Sequence, residues 1–144
     1  MILILIRGLS ASGKSSLSTL FDGYCFAADD YFTDPLGAYN FDPSKLPEAH
    51  AECQRRTKDS LAKGRAITVV TNTFSCRWEM EPYFKLAEDF DCRVHVIDLF
   101  DGGLTNEELV ERNLHGVPVE TISDMRDRWE HNWKDGNPIP PWER

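Results

Sequence analysis

The sequence predicts an α/β domain: a small, four-stranded parallel sheet with helices on both faces and a helical lid. Three observations predict it. Apolar runs alternate with segments of helical period in the order β-α-β-α-β-α-β-α-α. The first run, Ile2 to Ile6, is continuous and branched, as in a strand covered on both faces. A glycine-rich stretch, Gly8 to Gly13, joins that run directly to a helical segment.

Each element has its own signal. Lys14 to Phe21 carries Leu17, Leu20 and Phe21 on one helical face, and Gly23 ends it. Tyr24 to Ala28 is a second strand, ending in Asp29-Asp30. Residues 31–45 contain Pro35, Gly37, Asn40 and Pro43 and read as a loop with turns. A helix over about 44–63 has Leu46, Ala49, Cys53, Thr57 and Leu61 as its inner stripe, closed by Gly64. Ala66 to Val70 is the third strand. Met80, Tyr83, Phe84, Ala87 and Phe90 are helically spaced, and Pro82 should limit the regular helix to the residues after it. Arg93 to Leu99 is the fourth strand. Thr105-Asn106-Glu107-Glu108 is a capping box that opens a short helix to about Leu114. Gly116 breaks it, and Pro118 can begin the next helix, which aligns Ile122, Met125, Trp129 and Trp133. The organisation is one domain over 1–136, with a lid at about 104–117, and a proline-rich tail over 137–144.

Composition bounds the function. Sixteen basic and 24 acidic side chains leave a net charge of −8. That disfavours nonspecific coating of nucleic acid, which rests on a broad basic surface. Arg55, Arg56, Lys58, Lys63 and Arg65 are the one basic concentration; it reads as a solvated helix face or as a short track for a phosphate backbone. No apolar run approaches the ~20 residues of a membrane span, so no membrane partner is expected. The apolar start lacks the basic leader of a secretory signal, which predicts a cytoplasmic protein. Cys25, Cys53, Cys76 and Cys92 form no Cys-x-x-Cys pair and read as small core residues.

Gly8-Leu9-Ser10-Ala11-Ser12-Gly13-Lys14-Ser15 fits G-x-x-x-x-G-K-[ST] in full, between a buried strand and a helix. Its glycines let successive N–H groups, with those of Ser10, Ser12 and Ser16 nearby, point at a phosphate. Lys14 should reach the β- and γ-phosphates of ATP, and Ser15 should hold Mg²⁺. Asp29 and Asp30 lie at the carboxyl end of the second strand, where ligands of a parallel sheet collect. A carboxylate there can accept the proton of an attacking hydroxyl or hold metal; alternation keeps the two from pointing the same way, so one of them can be structural while Asp30 is also a candidate on the substrate side. Thr71, Asn72 and Thr73 follow the third strand, and the last two could bond phosphate or acceptor or form a polar turn. Arg112 sits in the lid segment, where a cation would stabilise a phosphoryl group in flight. Tyr31, Phe32, Tyr39 and Trp78 could stack on an end nucleotide or pack in the core.

In order, these residues resemble the polynucleotide 5′-kinase family of P-loop kinases. They are most similar to the branch fused into animal ubiquitin-ligase-binding proteins. The resemblance runs from Ile2 to Trp129. It rests on the phosphate loop, Asp29-Asp30-Tyr31-Phe32, Gly37-x-Tyr39-x-Phe41-Asp42-Pro43, Glu48-Ala49-His50, Asn72-Thr73, Trp78-Glu79-Met80-Glu81-Pro82-Tyr83 and Glu111-Arg112-Asn113-x-His115-Gly116-Val117. It implies a P-loop kinase-type fold and transfer of the ATP γ-phosphate to a 5′-hydroxyl of DNA or RNA. Asp29 matches the general base, Lys14 and Ser15 the phosphate and Mg²⁺ groups, and Arg112 a lid arginine on ATP. His115 stands where phage members carry a second lid arginine. Phe32 replaces an arginine that holds the acceptor phosphate, and Thr71 replaces an aspartate of the animal branch. Arg55 and Arg56 are the next candidates for that phosphate. A kinase of a small molecule or modified base, or a non-catalytic nucleotide-binding module, are the rival readings.

Overall fold

The computed structural model describes residues 1–144. Its strands are β1 (Ile2–Gly8), β2 (Tyr24–Phe26), β3 (Ile67–Asn72) and β4 (Arg93–Phe100). They pair in parallel in the order β2-β3-β1-β4. The helices are α1 (Lys14–Ser18), α2 (Leu46–Ala62), α3 (Arg77–Asp89), α4 (Asn106–Arg112) and α5 (Val119–Asp127). A 3-10 turn, Ala28–Phe32, comes after β2. This is a P-loop kinase-type α/β fold with a helical lid. No helix is long and apolar enough to cross a membrane.

The period of two in β1 divides the core. Leu3 and Leu5, with Val70, face α2 and α3 and meet Ala49, Cys53, Met80, Tyr83 and Ala87. Ile4 and Ile6, with Val69, face the other way and meet Leu17 and Phe21 around α1. Each fully buried branched side chain contributes about 1.5–3 kcal/mol. A third cluster is separate from the sheet: Leu9, Leu109, Ile122 and Trp129, rimmed by Ala11, Phe100, Val117 and Met125. The lid helices therefore rest on the first residue after β1.

Several elements differ from the sequence-based expectation. Helix α1 stops at Ser18 rather than Phe21, because the Ser18 and Thr19 hydroxyls donate to the carbonyls of Ser15 and Ser16, both at 2.7 Å, and compete with the backbone ladder. Leu20 is exposed, not on the inner face. Strand β3 runs two residues further than expected and takes in Thr71 and Asn72. Helix α3 begins at Arg77 and contains Pro82. The first turn forms ahead of the proline because carboxylates hold its donors: Cys76 N–H donates to Glu79 Oε2 at 2.7 Å and Arg77 N–H to Glu130 Oε2 at 3.1 Å. Helix α4 ends at Arg112, leaving Leu114 almost fully exposed. Helix α5 ends at Asp127, so Trp129 and Trp133 lie beyond it. All four cysteines are free thiols, but only Cys53 is buried. Cys25 is exposed because β2 is an edge strand three residues long.

Arg7, near the end of β1, is wholly buried. Its Nε donates to the Phe74 carbonyl at 2.9 Å. One terminal nitrogen donates to Asp98 Oδ2 at 2.8 Å and to the Glu130 carbonyl at 2.9 Å. The other donates to the Ser75 carbonyl at 2.9 Å. The guanidinium lies 3.9 Å from the Trp129 ring centroid. Burial pulls its pKa down, and Asp98 opposes that pull. One side chain thus ties β1 to β4, to the β3–α3 loop and to the segment after α5. Arg7→Met should lower the free energy of unfolding by about 3–5 kcal/mol, because Asp98 and three carbonyls lose their donor. Urea melts measure it. Arg7→Lys should recover little, since an ammonium lacks the planar fork.

Candidate active site

The phosphate loop begins where β1 ends. It turns back through Ala11 at φ 65° and Gly13 at φ 109°; only the second of these lies far outside the region a side chain tolerates. A Cβ on Gly8 would collide with the Ser12 side chain. From behind, the β4–α4 turn closes on the loop, and a Cβ on Gly102 would sit 2.7 Å from the Ser12 carbonyl oxygen. Lys14 lies along the inside of this curve. Its Nζ donates to the carbonyls of Gly8 and Leu9, both at 2.9 Å. Burial pushes its pKa down to about 8, against the pull of the Asp29 carboxylate.

The loop fits a nucleoside triphosphate. Lys14 has three donors and uses two. The buried Ser12 hydroxyl has no partner within the chain. Ser15 and Ser16 are exposed at the start of α1, with Ser15 placed to hold Mg²⁺ beside the phosphates. Ser10 instead rests its hydroxyl 3.8 Å from Met125 Sδ in the lid. Because α1 has only five residues, the loop's own N–H groups must supply most of the attraction for an anion.

The two aspartates after β2 have different surroundings. Asp30 Oδ2 accepts from the Ala27 N–H at 2.9 Å and from Arg56 at 3.0 Å. It stabilises the turn. Asp29 turns to other partners. Its Oδ1 accepts from the Tyr39 hydroxyl at 3.0 Å, and its Oδ2 stands 3.6 Å from His115 Nδ1. Its charge also acts on Lys14 and on His50, whose pKa burial lowers. Asn72 fixes the turn from below: Oδ1 accepts from the Ala28 N–H at 2.8 Å, and Nδ2 faces Tyr83 and Cys53. Asn72 is buried and committed to the fold, whereas Thr73 is partly exposed and its carbonyl accepts from the Gly8 N–H at 3.1 Å.

The lid reaches the same crevice. Arg112 ends α4, is exposed and makes no ion pair. Asn113 Oδ1 accepts from the His115 N–H at 2.7 Å, which turns the chain and brings His115 over Tyr39. The two rings stack at 3.9 Å with 12° between planes. Asp29, Tyr39 and His115 are therefore one cluster, and the charge of Asp29 reaches Lys14 from it. Other candidates lie outside it. Phe32 packs edge-on against Tyr31, Tyr39 and Phe41 and is 6% exposed, so its ring fills the core rather than offering a free stacking face. Tyr31 is exposed and bonds Glu48. Trp78 meets Trp142 of the tail edge-on. Arg55 is held by Glu52 and Asp59, both at 2.7 Å. Thr71 is buried. The sequence alone suggested no role for His50 or Arg7. A charged residue inside an otherwise apolar strand was the available signal for Arg7.

Comparison with known proteins agrees with this fold. The family described as "AAA domain" matches residues 3–131. NEDD4-binding protein 2 of Homo sapiens is 35% identical over 140 residues, which cover 90% of this chain and 8% of the human protein. The chain therefore spans less than a tenth of that relative. A chain of the Pnkp1/Rnl/Hen1 RNA repair complex superposes with a TM-score of 0.69 at 17% identity, over 96% of this chain and 48% of its own. A gluconokinase from Sinorhizobium meliloti 1021 gives 0.54 at 20% identity, over 92% and 77%. The structural likenesses establish the fold.

Because the Lys14 ammonium is desolvated in the free loop, Lys14→Met should leave the thermal midpoint unchanged or raised. The same variant should lose the stabilisation that Mg·ATP gives the parent chain. Thermal melts with and without Mg·ATP check both.

Proposed function

The chain belongs to the AAA-domain family, and from that premise we propose that it transfers the γ-phosphate of ATP to the hydroxyl of an acceptor. The observation that carries the reading is a complete phosphate loop together with one carboxylate, Asp29, held by Tyr39 at the carboxyl end of β2 and acting with its charge on Lys14. Asp29 takes the acceptor's proton as the hydroxyl oxygen attacks. Lys14 and the loop N–H groups hold the phosphates in place, and Arg112 brings a cation over the transferring group when the lid is closed. Ser15 would hold Mg²⁺, which when bound would supply charge neutralisation at the nucleotide.

The geometry best supports a small hydroxyl compound as acceptor. Arg55 and Arg56 are engaged by carboxylates, and Phe32 is buried, so the groups expected to grip a polynucleotide phosphate are otherwise employed. The 5′-hydroxyl end of DNA or RNA is the second reading. The exposed rings of Tyr31 and Phe41 and the unpaired Arg112 favour it. Transfer from labelled ATP to nucleosides, small hydroxyl metabolites and 5′-hydroxyl oligonucleotides separates them. A small acceptor should react with little dependence on salt; an oligonucleotide should show a steep one. Transfer to none of them would leave a nucleotide-binding module without kinase activity.

Asp29→Asn should reduce turnover by roughly 10²- to 10⁴-fold while the Michaelis constant for ATP stays near that of the parent. Asp30→Asn should act mainly on stability; a larger loss of turnover in it than in Asp29→Asn would move the base to Asp30. Arg112→Ala should lower turnover more than it weakens binding of ATP, and equal losses would make it a ground-state contact.

A further inference from the structure

We propose that Tyr39 and His115 are positioning residues that orient the Asp29 carboxylate, and that closure of the lid completes this arrangement. The inference rests on the reading of Asp29 as the base. Sequence reasoning placed Tyr39 against the acceptor and His115 against the nucleotide. In the structure both side chains meet Asp29. The Tyr39 hydroxyl donates to one carboxylate oxygen at 3.0 Å, and His115 Nδ1 stands 3.6 Å from the other. The ring stack between them, at 3.9 Å, locks the two contacts together.

The two side chains come from different bodies of the fold. Tyr39 belongs to the loop after β2, where Thr33 and Tyr39 form an isolated antiparallel bridge. That bridge and the edge-on Phe32 ring fix the tyrosine whether or not the lid moves. His115 belongs to the lid tip, three residues beyond Arg112 and turned inward by Asn113. With the lid open, Asp29 keeps one contact; with the lid closed, both oxygens are held. A carboxylate so held presents a defined lone pair to the incoming hydroxyl, and does so only when Arg112 has come over the phosphates. Arg112 and His115 thus give the lid tip one residue for each reactant. Burial and the Asp29 charge hold the Tyr39 phenol firmly protonated, as a donor to the carboxylate must be.

The test has a spectroscopic arm and a kinetic arm. In protein labelled with ¹⁵N-histidine, the ring signals of His115 should shift on Asp29→Asn and on Tyr39→Phe. Signals indifferent to both changes would overturn the proposal without recourse to any activity. In single-turnover transfer, with adenosine and a 5′-hydroxyl oligonucleotide as acceptor probes, Tyr39→Phe keeps the stack and deletes the donor. It should cost roughly 10- to 100-fold in rate, the effect of losing a hydrogen bond to a charged group, with the Michaelis constant for ATP unchanged. His115→Ala should cost up to about fivefold, and His115→Asn, which restores a nitrogen near the Nδ1 position, should recover part of it. Both effects should vanish in an Asp29→Asn background, because each acts through that carboxylate. Full effects that persist there would show packing roles instead. Should Asp29→Asn itself leave transfer intact while the His115 signals move, the contact stands and the assignment of the base is what fails. Where neither probe accepts phosphate, the ¹⁵N result alone decides whether Asp29 is held as described.

Discussion

The buried guanidinium of Arg7 is the interaction on which the rest of the architecture depends. It is the only charged side chain in the core of the sheet, and its partners come from three stretches of chain: β4, the β3–α3 loop and the segment after α5. An isolated cation in that position would be prohibitively unfavourable; four acceptors and an aromatic face make it tenable. Its position has a further effect. Arg7 directly precedes the phosphate loop, so the residues that fix it also fix the direction in which β1 delivers Gly8.

Rigidity then passes outward in two directions. Leu9, the second residue of the loop, is the floor of the lid's own apolar cluster with Leu109 and Ile122. Trp129 belongs to that cluster and also covers Arg7, so lid and sheet share a wall. On the β2 side, Asn72 extends from β3 and pins the turn that carries Asp29. Phosphate loop, lid base and the Asp29 carboxylate are all referred to the carboxyl ends of β1 and β3, as expected for a parallel sheet.

The fold was legible because its signals are local. Branched runs, a complete phosphate motif and a capping box at Thr105 each specify an element without knowledge of the rest, and Thr105 does accept from the Glu108 N–H at 3.2 Å. The features that escaped were set by distant partners. Pro82 sits inside α3 because Glu79 and a carboxylate from residue 130 cap the turn before it. Phe32 is a core ring because the 33–39 bridge folds Tyr39 and Phe41 against it. Asn72 looked like a ligand contact at a strand end, yet β3 extends far enough to bury it. The same strand end shows why the pair Asp29-Asp30 was only half readable: alternation required that they diverge, but which one turned inward depended on Arg56, 26 residues away.

The shared cluster under the lid limits how the crevice can open. With Leu109 and Ile122 fully buried against Leu9, the lid helices cannot swing away without exposing the base of the phosphate loop to water. Movement is therefore confined to the lid tip, from Arg112 at the last turn of α4 to the start of α5, where Leu114 is almost fully exposed and Gly116 adopts φ 68°. A strap of that length admits and releases ligands by local rearrangement rather than by domain rotation. Its exchange kinetics should then track the stiffness of half a dozen residues, and viscosity of the medium, which drags on large moving bodies, should matter little.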